Sequence, residues 1–156
     1  MINASRGGIV NEPALLAAKE TFVYCTDVYR NEPDINPEII EYATLCTPHI
    51  AGHSIEAKYE AVFCISRFFH RMLGLPPPDD KMPFKKQAEF LPSESAWQDT
   101  ILSIYNPLNE TLELKKSSHL KETFLQLRKA HDFRHDFKVY AGQISDRKLQ
   151  EIMGAV

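Results

Sequence analysis

The stretch Thr47-Pro48-His49-Ile50-Ala51-Gly52-His53 is the most informative part of this chain of 156 residues for predicting its fold. His49 follows an apolar run and a proline and precedes a glycine, which is typical of an irregular segment at the carboxyl end of a buried strand. Open α/β sheets bind their ligands at that edge. An imidazole exchanges protons near neutral pH, so His49 is the candidate proton-handling residue.

The sequence before this stretch predicts three short strands that alternate with two helices. The strands are predicted from apolar and β-branched runs at residues 1–4, 21–28 and 44–47. Asn11 and Asn36 each precede a proline-containing first turn, so they are the predicted N-caps of the helices. Strands and helices that alternate with short connections indicate a parallel sheet, of which these strands form one part.

The sequence after this stretch predicts a long helix, a linker and a small second unit. Ser54 is the predicted N-cap of the helix, and Gly74 followed by Pro76-Pro77-Pro78 is its predicted end. Further helices are predicted over 93–105 and 119–131, a turn at Pro107-Leu108-Asn109, a strand over Phe137–Ala141 and a last helix capped by Ser145. The predicted domains are residues 1–53, a connecting helix over 54–75, a proline-rich linker over 76–92 and a unit over 93–156.

The composition narrows the class of protein. Hydrophobic residues make up 44% and charged residues 25%, as in globular proteins. A net charge of −3 gives no case for nucleic acid as a partner, and neither a membrane span nor a signal-peptide pattern occurs. His131 and His135 lack a third ligand, so we expect no metal, and the three scattered cysteines indicate reduced thiols. We expect a cytoplasmic protein.

Three polar residues fall at predicted strand ends, namely Arg6, Glu32 and His49. In a parallel sheet these ends meet at one edge, so the side chains can converge. A carboxylate beside a histidine fixes the orientation of its ring, and an arginine can hold a substrate carboxylate with two hydrogen bonds. The set suits the oxidation of an alcohol or the reduction of a carbonyl. The alternative is that Arg6 and Glu32 form a surface ion pair and that His49 only ends a strand.

Three motifs resemble those of the D-2-hydroxyacid dehydrogenase family, and they occur in the same order as in that family. They are Asn3-Ala4-Ser5-Arg6-Gly7-Gly8-Ile9-Val10-Asn11, then Asp27-Val28-Tyr29 with Glu32-Pro33, and then Thr47-Pro48-His49-Ile50-Ala51-Gly52. The resemblance implies the C-terminal part of a Rossmann-type NAD-binding domain. It also implies that His49 is the proton donor and acceptor, Glu32 its partner and Arg6 the substrate-binding arginine.

The resemblance further implies which residues contact NAD and substrate. The NAD-contacting residues would be Ala4, Ser5, Arg6, Asp27 and Gly52. His53 occupies the position of a substrate-contacting residue. The tail, with Phe124 to Lys129 and Leu149 to Gly154, resembles the C-terminal dimerisation domain of a family member that acts on a phosphorylated hydroxy acid. A homodimer through residues 93–156 is therefore expected, as it is for about sixty residues that bury little surface alone.

The chain lacks the glycine-rich phosphate loop G-x-G-x-x-G of dinucleotide-binding domains. We therefore expect the C-terminal part of a longer enzyme, inactive when isolated. Two alternatives stay open. One is another family member, of the hydroxypyruvate or phosphoglycerate type, and the other is a non-catalytic dimerisation module.

Overall fold

The computed structural model describes residues 1–18, 22–81, 96–131 and 134–154. By their contacts the residues form two units. The first comprises Met1–Gly52 with Asn106–Asp132, and the second comprises His53–Tyr105 with Phe133–Val156. The tail over 93–156 thus contributes segments to both units, and its role as a separate dimerisation domain stays a prediction.

A parallel sheet lies at the centre of the first unit. Its strands, in spatial order, are β1 (Ile2–Asn3), β2 (Cys25–Thr26) and β3 (Leu45–Cys46). Ile2 lies opposite Cys25, and Cys25 opposite Leu45. This arrangement confirms the predicted α/β fold, and it places the loops after the three strands at one edge of the sheet.

The two helices between the strands begin where their caps predict. The side chain of Asn11 accepts a hydrogen bond from the Ala14 amide and begins α1 (Glu12–Ala17). The side chain of Asn36 accepts one from the Glu38 amide and begins α2 (Pro37–Tyr42). Each cap satisfies an amide that the first helical turn leaves without a partner.

The second strand is shorter than the sequence predicts. Among the described residues of the predicted run 21–28, the strand comprises Cys25 and Thr26, while Phe22 and Val23 are exposed. The reason is the length of the neighbouring strand. Because Ala43 is the C-cap of α2, β3 begins only at Leu45, and the pairing on this side starts with the hydrogen bond from the Thr44 amide to the Tyr24 carbonyl oxygen at 2.7 Å.

Two helices from the tail complete the first unit: α5 (Leu108–Lys116) and α6 (Leu120–Ala130). The predicted turn at Pro107-Leu108-Asn109 is wrong, because Pro107 is the N-cap of α5 and the helix continues through Lys116. Proline suits this position because a helix start needs no amide donor there. The buried core of the unit includes Tyr24, Tyr29, Ile39, Cys46, Leu114 and Phe124.

The second unit contains the long helix α3 (Ile55–Met72) and the shorter α4 (Trp97–Ile104). Ser54 caps α3 as predicted, because its hydroxyl accepts a hydrogen bond from the Ala57 amide. Gly74 ends the helix with a φ of 65°, a conformation that glycine adopts without steric cost.

The end of the chain differs from the prediction in two places. Phe137–Val139 and Ala141–Gln143 form 3-10 turns in place of the predicted strand. Their residues favour strands, but in the described part of the unit only the bridge between Ser54 and Arg134 offers extended pairing. The last helix, α7 (Arg147–Ile152), is capped by Asp146 and not by Ser145, because the Asp146 carboxylate accepts from the Leu149 amide.

Some predictions fall on residues outside the described ranges. They are the start of the second strand at residue 21, much of the linker over 76–92 and the first residues of the helix over 93–105. In the part of the chain that the structure describes, no helix is long and apolar enough to cross a membrane.

Candidate active site

Glu32 and His49 meet at the carboxyl edge of the sheet. Nδ1 of His49 lies 2.6 Å from Oε2 of Glu32, and both side chains are partly exposed. A carboxylate only accepts hydrogen bonds, so Nδ1 carries the proton and Nε2 of His49 is left to exchange a proton with a ligand. The other carboxylate oxygen, Oε1, accepts from the Tyr29 amide at 2.8 Å and holds Glu32 in place.

The backbone of His49 adopts a left-handed conformation with a φ of 56°. Few residues other than glycine tolerate this region, and strain of this kind persists only where the surroundings enforce it. Asp27 supplies part of that enforcement. Its Oδ1 accepts hydrogen bonds from the Thr47 hydroxyl and the Ile50 amide, and its Oδ2 accepts one from the Ala51 amide.

Tyr29 also forms a hydrogen bond with the loop that carries His49. Its hydroxyl donates to the Thr47 carbonyl oxygen at 2.9 Å. Burial raises the pKa of this phenol above its usual value, and the nearby Cys46, Asp27 and Glu32 act in the same direction. Tyr29 therefore stays protonated and remains a donor to the loop.

The loop that carries Arg6 approaches the loop that carries Glu32. The side chain of Asn3 accepts a hydrogen bond from the Ser5 amide and donates one to the Arg6 carbonyl, which shapes the turn after β1. Gly7 passes so close to the Tyr29 carbonyl that a Cβ would lie 1.8 Å from its oxygen. Only glycine fits there.

Arg6 itself is exposed, and its Nη1 donates to the Ser5 carbonyl at 2.7 Å. Within the described residues, no hydrogen bond or ion pair joins Arg6 to Glu32 or His49. The surface ion pair between Arg6 and Glu32 that the alternative predicts therefore does not form among the described residues. The guanidinium faces solvent at the end of β1, where an anionic ligand could reach it.

The remaining predicted residues are placed as follows. Ala4, Ser5 and Gly52 are exposed, Asp27 is buried, and His53 belongs to the second unit. The roles predicted for all of them stay predictions.

The residues present fit one end of a dinucleotide. The exposed backbone at Ala4 and Ser5, the open space beside Gly52 and the Asp27 carboxylate lie after strands of a parallel sheet, where a nicotinamide could be bound. Oδ2 of Asp27 accepts a hydrogen bond from the Ala51 amide, and a carboxylate oxygen has a second lone pair with which it could accept one from a ligand amide. The given sequence contains no G-x-G-x-x-G loop of the kind that holds the phosphates of a dinucleotide.

The parallel sheet and the motifs at its edge define a class of protein. Residues 1–51 match the family described as D-isomer specific 2-hydroxyacid dehydrogenase, NAD binding domain. Over these residues the chain is similar to that family, and its fold there is of the Rossmann type.

Individual relatives give a more specific comparison than the family does. The chain is 55% identical over 148 residues to an erythronate-4-phosphate dehydrogenase of Legionella pneumophila (strain Lens), an alignment that spans 95% of this chain and 42% of that protein. It is 32% identical over 149 residues to the erythronate-4-phosphate dehydrogenase of Bacteroides thetaiotaomicron, with 90% of this chain and 40% of the relative covered. The chain therefore spans less than half the length of the curated relatives that it matches.

The structure adds residues that the sequence reasoning missed. The motif Asp27-Val28-Tyr29 assigns no role to Tyr29, and no sequence pattern marks Arg128 of α6 as part of a site. Arg128 donates from Nη1 to the His49 carbonyl oxygen at 3.0 Å. A partner 79 residues away leaves no local signal in the sequence.

Proposed function

We propose that this chain supplies the proton-transfer residue and the substrate-carboxylate ligand of an NAD-dependent dehydrogenase that oxidises 4-phospho-D-erythronate to the 2-oxo acid. The observation that carries the proposal is the Glu32–His49 pair after a strand of a parallel sheet. The relatives named above are erythronate-4-phosphate dehydrogenases, which supports this substrate over those of other family members.

In the proposed reaction, Nε2 of His49 accepts the proton of the C2 hydroxyl while the hydrogen on C2 leaves as hydride, so that the alcohol becomes a carbonyl. Glu32 holds the ring through Nδ1 and stabilises the positive charge that His49 gains. Arg6 binds the substrate carboxylate and polarises the adjacent C2 oxygen. NAD, when bound, supplies the hydride acceptor.

Other residues would position the two ligands. Ala4, Ser5, Arg6, Asp27 and Gly52 would contact the nicotinamide end of NAD. His53 can donate a hydrogen bond to a phosphate, so it is proposed as a substrate contact.

The chain as given is proposed to be inactive alone. Proximity and orientation of bound reactants supply several kcal/mol of a typical barrier, roughly 7–11 kcal/mol at best, and the sequence contains no phosphate-binding loop to hold NAD. We also propose a cytoplasmic homodimer that associates through residues 93–156 and acts without metal, nucleic acid or membrane.

The test begins with the native polypeptide, captured from source cells with an antibody against residues 93–156. A mass well above 17.9 kDa and formation of NADH with 4-phospho-D-erythronate are the expected results. Faster turnover of glycerate or 3-phosphoglycerate would replace the proposed substrate with that of another family member. A polypeptide that forms a stable dimer but oxidises none of these acids would refute the dehydrogenase and favour the non-catalytic dimerisation module.

A further inference from the structure

The peptide unit between His49 and Ile50 is held from both sides by charged groups. On one side the Ile50 amide donates to Oδ1 of Asp27 at 2.8 Å. On the other side the His49 carbonyl oxygen accepts from Nη1 of Arg128 at 3.0 Å. An anion on the N–H and a cation on the C=O match the dipole of the peptide, so both contacts are charge-assisted hydrogen bonds.

The orientation of this peptide decides where the His49 ring points. The peptide plane sets the ψ of His49, and the φ of 56° lies in the left-handed region, which residues other than glycine adopt uncommonly. If the plane rotates, the Cα–Cβ bond turns with the backbone, and Nδ1 leaves its position 2.6 Å from Glu32. The ring is therefore only as well oriented as the peptide that follows it.

The two residues that hold this peptide, Asp27 and Arg128, come from different parts of the chain. Asp27 follows β2, next to the sheet, and it is buried. Arg128 lies in α6, whose inner face is anchored in the core of the first unit by Phe124, against the ring of Tyr29. Because Phe124 and Arg128 are four residues apart, they lie on the same face of the helix. The packing that buries Phe124 thus also directs Arg128 toward His49.

We propose that Arg128 is a positioning residue for His49 and that it fixes the His49–Ile50 peptide in the orientation that proton transfer requires. This inference rests on the proposed function. Arg128 acts on the backbone of His49, so it changes the rate of the chemical step and leaves the binding of the hydroxy acid nearly unaltered.

The substitution Arg128→Met keeps most of the apolar stem of the side chain and removes the guanidinium. In the native polypeptide we expect kcat to fall about tenfold to a hundredfold, as for the loss of a charged hydrogen bond, with KM changed less than about twofold. Lys129→Met is the matched control, since it is the same kind of change at the next, exposed position of α6, and it leaves kcat unaltered.

A second measurement on the 156-residue chain needs no activity. In ¹⁵N NMR spectra, Arg128→Met shifts the His49 ring and Ile50 amide signals, whereas Lys129→Met does not. If Arg128→Met fails to fold, Arg128→Gln takes its place with the same readouts. Unchanged His49 signals together with an unchanged kcat overturn the proposal. A loss of activity in Glu32→Gln but not in the Arg128 variants refutes Arg128 alone, whereas an undiminished Glu32→Gln enzyme refutes the proposed function.

Discussion

Oε2 of Glu32 lies 2.6 Å from Nδ1 of His49, and Oε1 of the same carboxylate accepts the Tyr29 amide. Both oxygens of Glu32 are thus engaged, one in orienting the imidazole and one in fixing the carboxylate to the backbone of its own loop. A ring held in this way presents Nε2 in a single orientation, which is what a group that exchanges protons with a substrate requires.

Replacing Glu32 with glutamine should reduce kcat about a hundredfold in the native polypeptide, with a much smaller change in KM. The amide cannot stabilise a positive imidazole as a carboxylate does. Steady-state NADH formation measures the effect. Glu41→Gln, an exposed carboxylate on α2, is the control and should behave as the unmodified protein. An equal fall in both variants would contradict the assigned role.

Thr111 forms hydrogen bonds with the backbone of β3, the last strand of the described sheet. Thr111→Val should therefore destabilise the chain by about 1–3 kcal/mol. Its hydroxyl accepts from the Cys46 amide at 3.0 Å and also lies 2.9 Å from the Cys46 carbonyl oxygen. Valine has nearly the same shape but leaves the buried amide without a partner. Urea denaturation measures the loss. Thr44→Val, the same change at an exposed position close to Cys46, should alter the free energy of unfolding by no more than a few tenths of a kcal/mol.

The cysteines should differ sharply in reactivity. Cys46 is fully buried, and burial raises its pKa to about 11, although Lys115 and Thr111 act in the opposite direction. Because the thiolate is the reactive form, Cys46 should react with an aromatic disulfide reagent only after unfolding, whereas the exposed Cys64 reacts at once. A variant with Cys25→Ser and Cys64→Ser isolates Cys46. Rapid reaction of this folded variant would contradict the prediction.

Stability should fall in acid because of Glu56. Burial raises the pKa of its carboxyl, but the hydrogen bonds from His135 at 2.7 Å and from the Asp136 amide at 2.8 Å outweigh burial and lower the pKa below its usual value. A group whose pKa is lower in the folded chain stabilises it above the unfolded pKa of about 4.3, and this contribution is lost as the pH falls through the folded value.

Urea midpoints measured between about pH 5 and about pH 3 should therefore decline less steeply in Glu56→Gln than in the unmodified chain. Glu122→Gln, at an exposed position of α6, is the control and should decline as the unmodified chain does. Parallel curves for Glu56→Gln and the unmodified chain would show that the contacts of Glu56 with His135 and Asp136 do not contribute.

Local patterns predicted much of the fold because the relevant interactions span only a few residues. Asn11, Asn36 and Ser54 cap the helices that follow them, and Gly74 ends α3, each through contacts within one turn. The errors arose where a long-range partner decides. The residues of Phe137–Ala141 favour a strand but lie in 3-10 turns. The reason is that no extended strand in the described part of their unit pairs with them.

The sequence by itself determined the alternation of strands and helices and, through its three motifs, indicated Arg6, Glu32 and His49 as candidate site residues. The tertiary structure alone decided that Glu32 contacts His49 while Arg6 faces solvent. It also decided that Thr111 borders β3 and that Arg128 holds the His49 backbone. The contacts of Thr111 and Arg128 join residues 65 and 79 positions apart. No periodicity or capping pattern specifies such pairs, because they depend on which helix faces pack against the sheet once the core is buried.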